Sequence, residues 1–304
     1  AVYLYEHRHI GRFHLQGAAR FDARTITPDR EFTSIVIGRI EERSFAGASG
    51  SLSTEWEWRK THWLGATLTS SWRAPGTEEL FSGGPHLAAY SYEIGNPSLD
   101  AERGWGSELY LRVRRTRSEG RFAVFYNLFD GYIFPAYTGR RAQQRNDLYE
   151  YRYEGQDAVM VGAEAEADLE LNRHLYLHGT FSYVRGQLIA RDVPLPQMPP
   201  LSGSVGVELR AGHYRFDTTL HGAGAQERTY VAEDPGSRPE DPTAAWLRLD
   251  LSLHWQRPLH GLLHSAALSV NNLLDTEYRN HLSRVRSVMP EPGRSIKLVY
   301  RVFF

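Results

Sequence analysis

The sequence predicts an all-β protein, an antiparallel transmembrane β-barrel, on three observations. Apolar and polar side chains alternate over segments of eight to thirteen residues, short and long connections alternate between these segments, and helical periodicity is not sustained anywhere. Strands of soluble proteins usually run about five or six residues, whereas a tilted strand that crosses a membrane needs about nine to eleven. We therefore expect these segments to cross a membrane.

The alternation is clearest in four segments, 107–114, 159–171, 246–255 and 295–304. In residues 246–255, for example, Leu249, Leu251 and Leu253 share one face, and Asp250 and Ser252 share the other. The same pattern along the chain predicts thirteen strands, at residues 1–9, 13–23, 45–60, 62–73, 102–116, 120–136, 148–171, 174–189, 200–212, 214–230, 244–258, 264–278 and 295–304. We expect essentially no helix beyond a turn in a loop.

The connections between these strands fall into two classes. Tight turns are predicted at Arg59–His62, Ser118–Gly120, Leu171–His174 and Ala211–His213, and long loops at 24–44, 74–101, 137–147, 190–199, 231–243 and 279–294. Short turns on one rim and long loops on the other are typical of outer-membrane barrels.

Composition excludes several classes of function. The chain has no cysteine, so it has neither a disulfide scaffold nor a thiolate site, and 35 basic residues against 36 acidic ones give no field that would attract nucleic acid. No stretch approaches the roughly 18 apolar residues of a membrane helix, and the mean hydropathy is −0.48. A transmembrane barrel is compatible with that value, because the strand face that lines the lumen is polar.

The chain begins with the strand-like run Ala1-Val2-Tyr3-Leu4-Tyr5 and carries no leader pattern. We therefore expect an N-terminal part of an exported protein to be missing from this sequence. At the other end, Phe304 closes an alternating row that includes Leu298 and Tyr300, and a terminal aromatic residue of this kind resembles a signal for outer-membrane assembly.

Several motifs occur together and in order. They are Ser70-Ser71-Trp72-Arg73-Ala74-Pro75, Glu93-Ile94-Gly95-Asn96-Pro97-Ser98-Leu99 with Glu102, the Gly-x-Glu-x-Glu run from Gly162 to Glu166, Val270-Asn271-Asn272-Leu273-Leu274-Asp275-Thr276-Glu277-Tyr278, and Pro292-Gly293-Arg294 before the last strand. Together they resemble the barrel signatures of TonB-dependent receptors, over about residues 62–304.

The resemblance implies an architecture larger than this chain. Receptors of that family have a twenty-two-stranded barrel filled by an N-terminal plug, and they bind the energy-coupling protein TonB through a TonB box. Residues 1–304 then form a single domain, about thirteen strands of the C-terminal part of such a barrel, without the plug. The implied location is the outer membrane of a Gram-negative bacterium, in contact with lipid, and the two sheet edges would be left open.

Within the family, Gly83-Gly84-Pro85-His86-Leu87-Ala88 and Arg279-Asn280-His281-Leu282-Ser283 resemble the zinc-uptake subgroup. We take His86, Glu93 and His281 as candidate metal ligands on long loops of one rim, because imidazole and carboxylate groups bind zinc. Tyr90 is a further candidate contact with the ligand. Each histidine has a structural alternative, in which it only hydrogen-bonds its own loop. A transport site must release its cargo, so an incomplete ligand set is expected, and no permanent cofactor.

The remaining chemical groups have simpler explanations. His7 and His9 are spaced to share a strand face, so a metal pair is one interpretation and ordinary polar side chains are another. The acidic row Glu164, Glu166, Asp168 and Glu170 fits charges that face arginines in the lumen better than a catalytic pair. Gly83-Gly84 is not a phosphate-binding loop, because no Gly-Lys-Ser/Thr follows.

Three functions remain to be distinguished. The first is an active-transport receptor that imports a scarce metal or metal complex with energy from TonB, with zinc favoured over haem or a ferric siderophore. The second is a passive pore, which the strands alone also allow. The third, a membrane-embedded enzyme such as a lipase, is disfavoured because no nucleophile and base lie together on a lipid-facing row. We expect a transporter and not an enzyme.

Overall fold

A computed structural model describes residues 1–232 and 240–304 of the chain. In these residues thirteen long strands form one meandering sheet, in which each strand pairs antiparallel with the next along the path. These strands are β1 (Val2–Ile10), β2 (Phe13–Ile26), β5 (Arg43–Arg59), β6 (His62–Arg73), β9 (Glu102–Arg115), β10 (Ser118–Arg141), β11 (Tyr149–Asn172), β12 (Leu175–Leu188), β14 (Ser202–Ala211), β15 (Tyr214–Ala223), β16 (Trp246–Leu259), β17 (Leu262–Asn271) and β18 (Ser295–Phe303).

The loops carry the shorter elements. These are β3 (Phe32–Ser34), β4 (Gly38–Ile40), α1 (Thr77–Phe81), β7 (Gly83–His86), a 3₁₀ turn (Leu87–Ala89), β8 (Ser91–Ile94) and β13 (Val193–Pro194). Within residues 1–232 and 240–304, every helix is too short or too polar to span a lipid bilayer. The expectation of a helix only as a turn within a loop is confirmed.

All thirteen predicted strands are present, and three of them differ most from their predicted bounds. The strand predicted at 120–136 is longer, from Ser118 to Arg141, so the turn before it lies at residues 116–117 rather than at 118–120. The strands predicted at 214–230 and 264–278 end earlier, at Ala223 and Asn271.

The early end of β17 has a local cause in Asn272. This residue has a φ of 52°, in the left-handed region that asparagine tolerates better than most residues. Its amide donates to the carbonyl oxygen of Thr276 at 2.9 Å and accepts from the backbone N–H of Thr276 at 2.9 Å. The Asn-Asn-Leu-Leu-Asp motif therefore turns the chain away from the sheet instead of continuing the strand.

The strand register separates the two faces of the sheet. On one face apolar side chains lie opposite one another from strand to strand, as when Leu268 of β17 lies between Leu253 and Leu298. Leu298 is 72 % exposed, and such exposed apolar rows continue across the sheet, as expected for a surface that faces lipid. The other face carries ion pairs such as Arg112–Glu55 at 2.8 Å, so it lines the lumen.

The rims confirm the predicted alternation of connections. The two-residue turns 11–12, 60–61, 116–117, 173–174, 212–213 and 260–261 join strands at one rim, and the long loops join them at the other. Of the predicted loop 231–243, residues 233–239 lie outside the described residues. Among the strands that are described, β1 pairs only with β2 and β18 only with β17.

Candidate functional site

The loop between β6 and β9 folds back over the rim because of one ionic anchor. Arg73, the last residue of β6, donates two hydrogen bonds to Glu79 of α1 (2.9 and 2.7 Å) and one to Glu102 at the start of β9 (3.1 Å). Glu79 also accepts from the backbone N–H of Gly76 at 2.6 Å, which caps α1. The Arg-Ala-Pro motif thereby fixes both ends of the loop.

Gly95 lets the loop close tightly. A Cβ atom at this position would lie 2.6 Å from the carbonyl carbon of Leu80, a contact with backbone that real side chains do not make. Leu80 is fully buried beneath it. The close approach directs β8 to pair in parallel with residues 149–152 of β11, and this pairing places Glu93 against the inner side of the rim.

Glu93 is buried and contacts four polar side chains. Its Oε1 forms an ion pair with the Arg284 guanidinium at 2.9 Å and accepts from the Ser91 hydroxyl at 3.0 Å, and it lies 3.2 Å from Nδ1 of His86. Its Oε2 accepts from the Tyr153 hydroxyl at 3.0 Å. Burial would raise the pKa of this carboxyl, but the positive charge of Arg284 and these hydrogen bonds outweigh it, so the pKa lies below its usual value.

His86 and Tyr90 lie at the tip of the same hairpin. The His86 side chain is 54 % exposed, and its described side-chain partner is Glu93. Tyr90 has a φ of 52° where the chain turns from the 3₁₀ helix into β8, and it packs against the buried cluster of Tyr92, Ile94 and Leu148. In this conformation Tyr90 therefore supports the loop.

His281 lies in a second buried network, which Glu240 organises. Nδ1 of His281 lies 3.0 Å from the Thr243 hydroxyl, and its Nε2 lies 3.9 Å from Oε1 of Glu240. Oε1 of Glu240 also accepts from the Arg286 guanidinium at 2.5 Å. Among the described residues, Nε2 of His281 and Nε of Arg286 have no hydrogen-bond partner.

This environment makes His281 acid-sensitive. Burial, with the nearby positive charge of Arg286, lowers the pKa of His281 from 6.5 to about 4, while Glu240 opposes the shift. The imidazole is therefore protonated below pH 6.5 in the unfolded loop, but only below about pH 4 in the folded loop. The stability of the folded loop falls as the pH drops from 6.5 to about 4.

We expect the last loop to lose about 2 kcal/mol of local stability between pH 7 and pH 5, and His281→Gln to remove most of this loss. Amide hydrogen exchange of residues 276–290 at the two pH values measures it, after correction for the intrinsic rates. Equal pH dependence in the wild type and in His281→Gln would contradict the buried neutral imidazole.

The structure thus brings together two of the three predicted ligands. His86 and Glu93 are in contact, whereas His281 contacts Thr243 and the Glu240 network. Sequence reasoning missed Arg284, Tyr153, Glu240 and Arg286, which hold the predicted residues in place. Arg284 and Arg286 lie in the loop that the sequence assigned to the same rim, so loop position was the available signal.

A cavity of about 170 Å³ lies between the two networks. Six aromatic side chains line its wall, and both loop arginines reach it; its lining includes Tyr132, Phe134, Tyr137, Tyr149, Tyr151, Tyr230, Glu240, Arg284 and Arg286. The Arg284 guanidinium stands 5.2 Å from the centre of the Tyr151 ring. Such a wall offers π-faces and charged donors together, a combination suited to a flat ligand with oxygen acceptors.

The acidic row of β11 lies on the lumen face, as the sequence indicated. Register places Glu166 opposite Arg121 of β10 and Asp168 opposite His178 of β12, and Glu170 lies 3.8 Å from Arg117. The row is thus part of a charged lumen wall.

These features define a class: a barrel sheet with an apolar outer face, a charged inner face, and long loops folded over one rim. The profile of the family "TonB dependent receptor-like, beta-barrel" matches residues 1–273, and the chain belongs to this family. Receptors of the family are transporters of the Gram-negative outer membrane and not enzymes.

The chain matches only part of the length of each individual relative. The chain is 27% identical over 148 residues to Hemoglobin-haptoglobin utilization protein B of Neisseria meningitidis, a match of 46% of this chain and 18% of that protein. Its fold is similar to that of the copper transporter OprC, with a TM-score of 0.78, 21% identity, and coverage of 96% of this chain and 46% of that one.

Two further solved structures share the fold. The FrpB iron transporter from Neisseria meningitidis (F3-3 variant) superposes with a TM-score of 0.72 at 16% identity, over 99% of this chain and 44% of that one. The siderophore receptor PirA from Acinetobacter baumannii gives 0.70 at 15% identity, over 99% and 45%. The chain spans less than half the length of these structures, and at such identities the likeness concerns the fold alone.

Proposed function

We propose that the protein is an active-transport receptor that binds a metal chelate at the long-loop rim and imports it with energy supplied through TonB. The family implies an N-terminal plug and a TonB box in the full-length receptor. The cargo is a ferric complex with aromatic groups and anionic oxygens, of the siderophore type. The cavity between the Glu93 and Glu240 networks is the observation that carries this proposal.

The wall chemistry supports a chelate. Arg284 forms an ion pair with Glu93 and donates one hydrogen bond to Ser91, which leaves others of its five N–H donors for an anionic oxygen. The Nε of Arg286 is buried without a partner among the described residues, and a ligand oxygen would satisfy it. The tyrosines beside these donors supply stacking surfaces for an aromatic ring.

The size of the cavity favours a ligand that inserts one group. Pockets that enclose a whole drug-sized molecule measure about 300–1,000 Å³, whereas this one measures about 170 Å³. One catecholate-sized ring fits such a space, and a whole haem does not. The similarity to a hemoglobin-haptoglobin utilization protein makes haem the second candidate among chelates.

Zinc is the second candidate, and the contact between His86 and Glu93 favours it. Nδ1 of His86 and Oε1 of Glu93 lie 3.2 Å apart on a half-exposed hairpin, the start of a ligand set. Against it, Oε1 of Glu93 is already ion-paired with Arg284 at 2.9 Å, and a cation bound between His86 and Glu93 would have to displace that guanidinium. We therefore rank the free zinc ion below the metal chelate as the candidate cargo.

Titration of the purified full-length receptor with ferric tris-catecholate, haemin or ZnCl₂, followed by quenching of intrinsic fluorescence, tests the cargo. We expect the tightest binding for ferric tris-catecholate, and about tenfold weaker binding of it by Tyr151→Leu, because one aromatic contact contributes about 0.5–1.5 kcal/mol.

Tyr183→Leu is the matched control, because Tyr183 is an exposed tyrosine that lies opposite Ala163 on the lipid-facing row. This variant should bind as the wild type does. If ZnCl₂ bound most tightly and His86→Ala lost zinc binding, the result would instead favour zinc as the cargo.

A further inference from the structure

Three histidines lie together far from the loop site. His7 and His9 are alternate residues of β1, and His14 of β2 is the register partner of His9 across the two-residue turn 11–12. This turn belongs to the short-turn rim, opposite the rim that carries Glu93 and His281. The cluster is therefore separate from the site described above.

The three side chains face one another closely. One nitrogen from each imidazole can be chosen so that all three lie within 4.8 Å of one another. The ring centroids of His9 and His14 are 3.9 Å apart, and those of His7 and His9 are 4.8 Å apart. Within residues 1–232 and 240–304, this is the one group of three or more histidine or carboxylate side chains that meets the distance requirement for a shared ion.

Strand register places the cluster on the lumen face. His14 lies opposite Glu55 of β5, and the Glu55 carboxylate accepts from the Arg112 guanidinium at 2.8 Å on that face. The neighbours Arg8 and Ile10 alternate to the other side of β1. The imidazoles thus point into the lumen, close to the short-turn rim.

We propose that His7, His9 and His14 form a binding site for a borderline divalent cation such as Zn²⁺ on the lumen wall near the short-turn rim. Neutral imidazole is a preferred ligand of such ions, and tetrahedral coordination at about 2.0–2.1 Å brings donor nitrogens to about 3.3 Å from one another. His7 and His9 are exposed, so small side-chain rotations close the remaining distance.

The ligand count leaves one coordination position of the ion open. Structural zinc sites are closed by four protein ligands, whereas three protein ligands leave one position for water or an incoming ligand. Glu55 does not fill that position, because Arg112 donates to both of its carboxylate oxygens, at 3.1 and 2.8 Å. The fourth coordination position is therefore open to water or to an incoming ligand. This inference stands whether or not the rim binds a chelate.

Isothermal titration of the full-length receptor with ZnCl₂ tests the site, with His9→Ala and the shape-preserving His7→Gln as variants. We expect zinc affinity at this site to fall at least about tenfold in each, since even loss of a group that only supports a ligand costs about 10–100-fold. Electron paramagnetic resonance of bound Cu²⁺ should show coupling to imidazole nitrogens that His9→Ala reduces.

His213→Ala is the control, because His213 lies in a tight turn on the same rim and belongs to no ligand group among the described residues. This variant should titrate as the wild type does. Zinc binding by His9→Ala and His7→Gln with wild-type affinity and stoichiometry overturns the proposal, as does a wild-type receptor that binds no zinc. Loss of chelate binding at the opposite rim would not affect the proposed histidine site.

Discussion

Glu93→Ala is expected to release the β7–β8 hairpin and the last loop from the barrel rim. The substitution removes the carboxylate that pairs with Arg284 and accepts hydrogen bonds from Ser91 and Tyr153. These three partners come from separate parts of the chain. Removing one partner of a buried ion pair costs about 3–5 kcal/mol, because the other charge stays without a partner in a dry site. Arg284 is 25 % exposed, so we expect the lower end of that range.

The effect should be local. Residues 83–94 and 279–290 are expected to exchange amide hydrogens about a hundredfold faster in Glu93→Ala, whereas β9 and β16 stay protected by their sheet hydrogen bonds. Because Arg284 also lines the cavity, chelate binding should weaken together with loop protection.

Glu41→Ala is the matched control. Glu41 pairs with Arg39 at 2.8 Å, a distance close to that of the Glu93–Arg284 pair, but both partners are exposed. An exposed pair contributes about 0–1 kcal/mol. Equal exchange in Glu93→Ala and Glu41→Ala would show that Glu93 does not anchor the loops.

The sheet could be predicted from the sequence because alternation is a local property. Each strand that faces lipid must present an apolar side chain at every second position. Segments such as 246–255 show this alternation without interruption. The errors fell at strand ends. At the end of β17, Asn272 turns the chain through its own side-chain hydrogen bonds, and the apolar residues that follow it had suggested a longer strand.

The site could be predicted only in part, because it depends on distant contacts. The hairpin spacing indicated that His86 and Glu93 belong to one loop, and they do touch. Nothing local indicated that Arg284, 191 positions after Glu93, would neutralise the carboxylate, or that Glu240 would hold Arg286. His14 completes the histidine cluster only through the register of β1 with β2, whereas the spacing of His7 and His9 alone suggested a pair.

The largest functional effect is expected on uptake. The proposed receptor binds its cargo in a confined cavity, so import should saturate with chelate concentration and should need energy to release the bound cargo inward. TonB is the family's route for that energy. A passive pore would admit the same chelate in proportion to its concentration, without saturation and without TonB.

Uptake of ⁵⁵Fe as ferric tris-catecholate, by cells that express the full-length receptor with or without TonB, tests this account most directly. We predict saturable uptake that falls to the level of receptor-free cells when TonB is deleted, and that Tyr151→Leu shifts to higher concentration while Tyr183→Leu does not. Uptake that rises linearly with concentration and persists without TonB would contradict the account and identify a pore.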